Sequence, residues 1–187
     1  MKDDAQLIDE SLAGQSASFG ILVTRYQDRL FNTLVHVLGS SEDARDIAQE
    51  AFVQAFVKLE SFRRSSAFYT WLYRIAFNMA ISLRRRRRPM VSVEQISETS
   101  GAQPTDDGAP PSHRIESEEQ AVQVHEALDR LSDEHRDILV LREIDGHSYD
   151  AISTMLETPI GTVRSRLHRA RMQMREQLLE VLQEDHG

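Results

Sequence analysis

Ser148-Tyr149-Asp150-Ala151-Ile152-Ser153-Thr154-Met155-Leu156-Glu157-Thr158-Pro159-Ile160-Gly161-Thr162-Val163-Arg164-Ser165-Arg166-Leu167-His168-Arg169-Ala170-Arg171 is the stretch that decides the fold. Ser148 can cap a short helix that runs through Leu156. Thr158-Pro159 restarts the chain with a capping hydroxyl and a proline at the first helical position, where its missing N–H costs nothing. The next helix buries Val163, Leu167, Ala170 and Met174. Arg164, Ser165, His168 and Arg169 then fall on its outer face. A short helix, a tight turn and a basic second helix make a helix-turn-helix, whose second helix enters the major groove. Arginine can grip guanine through two hydrogen bonds, and serine or histidine can read smaller acceptor patterns. The plainer alternative is a helical hairpin with a solvated basic face. The Thr-Pro turn, and five arginines without an acid between Thr158 and Arg175, favour DNA.

Upstream of this motif the chain stays helical. Ala121, Val124, Leu128 and Leu131 mark one helix, in a block that begins near Glu118. Ser132 is placed to cap the next, which is expected to bury Ile138, Leu141 and Ile144. Farther back, Pro89, Pro104, Pro110 and Pro111 are four of the five prolines and lie among glycines and serines. Such a segment buries little and does not offset its ordering entropy, so it reads as a flexible linker. Before it, Phe19, Leu22, Val23, Tyr26, Leu30, Leu34 and Val37 recur at helical spacing. Gly39 ends that helix, and Ser40-Ser41 can cap another with Ile47, Ala51, Phe52, Ala55, Phe56 and Leu59 on its core side. Phe68, Leu72, Ile75, Met79 and Leu83 mark a third. A short helix around Leu7 to Leu12 precedes them. No alternating strand pattern appears. The expected fold is all-α: two small helical domains, 1–88 and 118–187, joined by a flexible linker at 89–117. The second contains the helix-turn-helix.

The net charge of −8 argues against a nucleic-acid binder until its distribution is read. Arg84 to Arg88 is a run of five arginines at a helix end. Two would satisfy the helix dipole; five suggest phosphate contact, since DNA affinity comes from local positive surface, the alternative being a loose charged helix end. Phe62-Arg63-Arg64-Ser65-Ser66-Ala67-Phe68-Tyr69-Thr70-Trp71 mixes stacking groups, cations and small polar residues, a composition suited to single-stranded DNA. Phe68 and Trp71 also suit a core; Phe62, Arg63, Arg64 and Asn78 are harder to place there. Asp46, Gln49, Glu50 and Val53 share one helix face, which by spacing alone is a solvated surface.

Other classes are poorly supported. The chain has no cysteine, hence no disulfide or thiolate metal site. No stretch approaches the roughly 20 apolar residues of a membrane helix, and the acidic N-terminus is no signal peptide, so the expected compartment is the cytoplasm. The seven histidines are scattered, with no metal-binding pair and no glycine-rich phosphate loop. Neither an enzyme, a metal, a cofactor nor a small-molecule substrate is expected.

Four segments resemble, in order, the sigma factors of the extracytoplasmic-function, sigma-E-like group. Asp43 to Phe52 resembles the helix that these proteins press onto the polymerase clamp. Ser61 to Ala76 looks like their minus-ten segment. Leu141 to Tyr149 and Gly161 to Arg166 are similar to their promoter-distal domain. The resemblance implies a two-domain factor that gives core RNA polymerase its promoter specificity. It implies a clamp contact at Asp46, Gln49, Glu50 and Val53. Minus-ten DNA would meet Phe62, Arg63, Arg64, Ser65, Trp71, Arg74, Asn78, Arg84 and Arg85, with Phe62, its loop and Asn78 holding an extruded base. Minus-thirty-five DNA would meet Thr162, Arg164, Ser165, Arg166, His168, Arg169 and Arg171. The implied partners are core RNA polymerase, promoter DNA and an anti-sigma factor. The chain is expected to be a monomer when free, or 1:1 with a partner.

The match has departures. His168 stands where sigma-E-like proteins can carry an aromatic, which points to a different minus-thirty-five sequence. Arg64-Ser65 replaces a more usual Gly-Asp, leaving the base preference at minus ten open. The solid arginine run is atypical. No long extension follows the last helix, so no extra sensory domain is expected. A helix-turn-helix regulator acting without polymerase, or a protein that only titrates a partner, would leave the Asp46 face and the aromatic loop unexplained.

Overall fold

In the computed structural model of this chain, residues 2–87 and 121–184 are described; the linker expectation for 89–117, and Arg88, lie outside them. All regular structure among the described residues is helical. Asp3 caps α1 (Asp4–Leu12): its carboxylate accepts the Gln6 N–H at 2.8 Å, while the Gln6 side chain accepts the Asp3 N–H, so two orphan donors are satisfied together. α2 (Ser16–Leu38) ends at Gly39, whose φ of 68° is the left-handed turn that glycine adopts without a Cβ clash. Ser40 then caps α3 (Ser41–Val57), with Glu42 and Asp43 favourably placed at the positive end of the helix. A 3₁₀ turn (Leu59–Ser61) leads through the Phe62–Ala67 loop into α4 (Phe68–Arg87).

The C-terminal block comprises α5 (residues 121–129), α6 (Asp133–Leu139), α7 (Tyr149–Met155) and α8 (Ile160–Glu184). α6 continues into a π turn, Val140–Ile144, which the spacing did not foretell. The wider turn rotates Ile144 outward, so it is exposed rather than buried as the pattern predicts. Ser132 sits at the cap position of α6, but its hydroxyl makes no capping bond. Among the described residues no helix is long and apolar enough to cross a membrane.

Each block buries the expected residues: Leu22, Leu30, Leu34, Val37, Phe68 and Leu72 in the first, Ile138, Leu141, Ile152, Val163 and Leu167 in the second. The two sets nevertheless join in one contiguous core. The reason lies on α4. Its deepest face is Tyr69, Tyr73, Ala76, Phe77 and Ala80, while Ile75, Met79 and Leu83 are only half-buried beside α3. α7 packs against α4, and α6 with its π turn packs against α2. Side-chain ties cross between the blocks. Arg84 donates to both Asp137 oxygens at 2.7 and 3.1 Å. Arg29 donates to Asp145 at 2.6 Å, and so does the Tyr69 hydroxyl at 3.1 Å. Arg74 pairs with Glu157. The Tyr69 ring stacks on His147 and lies 4.2 Å beneath the Arg29 guanidinium.

Candidate nucleic-acid interface

The helix-turn-helix is built locally. The Ser148 hydroxyl accepts the Ala151 N–H at 3.2 Å and starts α7. Glu157 turns the chain at a φ of 49°. The turn closes when the Ser153 hydroxyl donates to the Thr158 carbonyl at 2.6 Å. The Thr158 hydroxyl donates backward to the Leu156 carbonyl at 3.0 Å, so it stiffens the turn instead of capping α8. Pro159 does precede the first turn, its carbonyl accepting from Val163 N at 3.0 Å.

Val163, Leu167 and Ala170 are buried, which turns Arg164, Ser165, His168 and Arg169 to solvent. At 3.6 residues per turn these four cover an arc of about 140°. No described side chain pairs with Arg164 or His168, so both heads are available to a ligand. The flanking positions differ. Thr162 and Arg166 are half-buried, and Arg166 lies 3.5 Å from Glu134. Arg171 donates twice to Glu143, at 2.7 and 3.0 Å, which holds its guanidinium away from the reading face and raises its affinity for its proton.

The residues expected at minus ten divide into two sets. Arg63, Ser65, Asn78 and Arg85 are exposed. Arg64 is exposed too, in a left-handed conformation (φ 56°), and pairs with Asp9 of α1. Phe62, in contrast, is nearly buried, its ring 5.0 Å from Trp71 and 6.0 Å from Phe68. It is a wall of the aromatic cluster and not an open stacking platform; the half-buried Trp71 offers the more accessible face. Trp71 and Asn78 are seven residues apart on α4, about 10 Å along the helix and on the same side of it. Arg74 and Arg84 face the C-terminal block. The Arg84 side chain is 15% exposed and also donates to the Val37 carbonyl at 3.0 Å. Burial pushes the Asp137 carboxyl up to about 6 even though Arg84 draws it down. Burial also works against the Asp145 carboxylate, but His147 and Arg29 outweigh it and hold that carboxyl below its ordinary value.

Asp46, Gln49, Glu50 and Val53 are all exposed on the outer face of α3. Phe56 and Val57 continue this face with apolar surface, 47% and 71% exposed. The spacing had put Phe56 on the core side; the structure leaves it edge-on to Phe19, 5.0 Å away, at the rim. Val53 and Val57, one turn apart on an otherwise polar face, were the available signal. Between α3 and α4 runs a groove of about 480 Å³ lined by Ile47, Glu50, Ile75, Asn78, Met79 and Arg86, among others.

Comparison with known proteins places both blocks. Residues 22–89 match the family described as sigma-70 region 2, and residues 121–174 match sigma-70 region 4. The RNA polymerase sigma-H factor of Pseudomonas aeruginosa is 37% identical, over 98% of this chain and 97% of its own length. The ECF RNA polymerase sigma-E factor of Escherichia coli is 39% identical, over 90% of each chain. Among solved structures, CnrH in complex with the cytosolic domain of CnrY aligns with a TM-score of 0.70 at 26% identity, covering 94% of this chain and 96% of that one. The sigma factor RpoE in complex with the anti-sigma factor NepR, from Bartonella quintana, aligns with a TM-score of 0.67 at 25% identity, covering 87% and 97%.

Proposed function

This chain belongs to the extracytoplasmic-function sigma factors of the sigma-70 family, and from that premise we propose how it works: it directs bacterial core RNA polymerase to specific promoters, under the control of an anti-sigma factor. It is an initiation factor, acts with polymerase in the cytoplasm, and performs no catalysis of its own. Residues 1–88 form the polymerase-binding and minus-ten unit, 89–117 the linker, and 118–187 the minus-thirty-five unit.

The observation that carries this reading is the pairing, in one chain, of an exposed four-residue reading face on α8 with an exposed polar-and-apolar face on α3. A helix-turn-helix regulator without polymerase needs only the first. Arg164, Ser165, His168 and Arg169 read base edges, and Arg171 meets a phosphate once Glu143 releases it. Asp46, Gln49, Glu50 and Val53, extended by Phe56 and Val57, dock on the clamp. Arg63, Arg64, Ser65, Trp71 and Asn78 line the path of the melted strand, joined by Arg74, Arg84 and Arg85 at its backbone.

Run-off transcription with core polymerase on a genomic promoter library tests the function directly. The chain should yield transcripts from a limited promoter set. Core polymerase that gains no promoter selectivity on adding the chain would overturn it.

A further inference from the structure

α1 lies before residue 22, where the match to sigma-70 region 2 begins, yet it touches the segment read as the path of the melted strand. The helix is firmly seated. Leu7 and Ile8 are buried, and α1 packs on α2. The Tyr26 hydroxyl donates to Asp4 at 2.5 Å, and the Ser18 hydroxyl donates to Glu10 at 2.5 Å. Asp9, between Ile8 and Glu10, therefore projects from a fixed point. It is exposed, and both its carboxylate oxygens accept from Arg64, the longer bond at 3.4 Å. α1 also packs on the 3₁₀ turn that leads into the loop.

The Phe62–Ala67 loop is pinned at its ends and nearly bare between them. Phe62, and Phe68 just after it, anchor the loop in the aromatic cluster. Inside it, the Ser66 hydroxyl reaches only the neighbouring Ala67 carbonyl, at 3.4 Å. Among the described residues, the pair between Arg64 and Asp9 is the one side-chain bond that ties positions 63 to 66 to another element. Arg64 is also where the loop bends sharply. Its φ of 56° is a left-handed conformation, which arginine adopts against the steric demand of its own Cβ. Such a conformation persists where the surroundings hold it. A guanidinium fork on a carboxylate fixes direction as well as distance, which a point charge does not. No described side chain pairs with Arg63 or Ser65, and both are exposed.

We propose that Asp9 is a positioning residue for base selection at minus ten: by gripping Arg64 it fixes the course of the 62–67 loop and commits that guanidinium to α1, leaving Arg63 and Ser65 to meet the extruded base. This rests on the reading of the loop as part of the melted strand's path given above. Asp9 acts through Arg64 and touches no base. The Arg64-Ser65 pair that departs from the more usual Gly-Asp thus comes with its own brace. Glycine enters the left-handed region freely; here an arginine is held in it by a carboxylate 55 residues earlier in the chain. An exposed ion pair adds little to global stability, but a loop with no other tie needs little to favour one of its conformers.

The test is run-off transcription by the full-length chain with core polymerase, on barcoded promoters carrying every base at each minus-ten position. Asp9→Ala should change the relative use of bases at a minus-ten position by about two- to fivefold, the reach of a well-formed exposed pair. The preference at minus thirty-five should stay that of the parent. Because the readout is a ratio among promoters, a folding defect or weaker polymerase binding lowers all of them alike and does not imitate the effect. An unchanged minus-ten preference would overturn the brace. The second arm repeats Asp9→Ala in a chain that already carries Arg64→Ala. There it should have no further effect; a shift that persists without Arg64 would also overturn the proposal, since Asp9 would then act by another route. Ser65→Ala and Arg63→Ala probe the underlying reading separately. A shift at minus ten with either of these, and none with Asp9→Ala, would keep the loop in the strand's path and remove only the brace. No shift with any variant of Arg63, Arg64 or Ser65 would take the loop itself out of the path, and the brace with it.

Discussion

Replacing Arg164 by alanine tests the assignment of the reading face. Arg164 is exposed in the first turns of α8, held there because Val163 and Leu167 on either side of it are buried. It has no described ion pair to give up, so its full hydrogen-bonding capacity is available to a base. A bidentate arginine–guanine contact discriminates by about 1–3 kcal/mol, roughly 5- to 150-fold at a single position. Arg171 is placed differently. Its pair with Glu143, about half exposed on both sides, is worth roughly 0–1 kcal/mol, and a phosphate must replace it. Arg171→Ala should weaken all sequences alike and lower the salt slope by about 0.9. Glu143→Gln should strengthen all sequences alike. The assay is anisotropy of holoenzyme on minus-thirty-five duplexes carrying every single-base change, at two salt concentrations. Arg164→Ala should flatten the preference at one position and leave the others in rank order. A uniform loss across all duplexes would refute the reasoning and make Arg164 a backbone contact.

Asp46→Arg with Glu50→Arg puts like charge against a basic clamp and should reduce co-purification with core polymerase, while the circular dichroism stays that of the parent because both positions are exposed; undiminished co-purification would move the contact elsewhere. Asn78→Ala should lower permanganate reactivity of minus-ten thymines without loss of duplex binding, since base extrusion costs a few kcal/mol that edge hydrogen bonds help to offset; equal reactivity would remove Asn78 from the path of the melted strand. Asp137 titrates at about 6 in the folded chain against 3.8 as a free side chain, so its contribution to stability is fully present below 3.8 and lost as the pH rises through about 6. At ~1.4 kcal/mol per unit this comes to about 3 kcal/mol. Urea unfolding of parent and Asp137→Asn at pH 4 and pH 7 should show the parent losing ground to the variant as pH rises, and a pH-independent difference would count against the shift.

Much of this protein was legible one helix at a time. The amphipathic faces of α2 and α8, the Gly39 stop, the Ser40 and Ser148 caps and the exposure of Arg164, Ser165, His168 and Arg169 all depend on neighbours three or four residues away. The same logic located the Asp46 face, and resemblance supplied what spacing alone did not: a reason to regard that face as a binding surface. Where a local rule met a wider contact it failed. Phe56 sits on the rim, Ile144 is rotated out by a π turn, Thr158 bonds backward, and Phe62 is enclosed by Phe68 and Trp71.

The sequence by itself determined the two helical blocks and the chemistry of each exposed face, because both are set by side-chain periodicity within single helices. Only the tertiary structure decided that Tyr69, Tyr73 and Phe77 belong to a core shared by both blocks, and that Arg29, Arg74 and Arg84 spend their charges on Asp145, Glu157 and Asp137. Those partners lie 53 to 116 residues apart in the chain. No periodicity extends across that separation; the pairing follows from how two amphipathic surfaces, each satisfactory alone, find more apolar area to bury against each other.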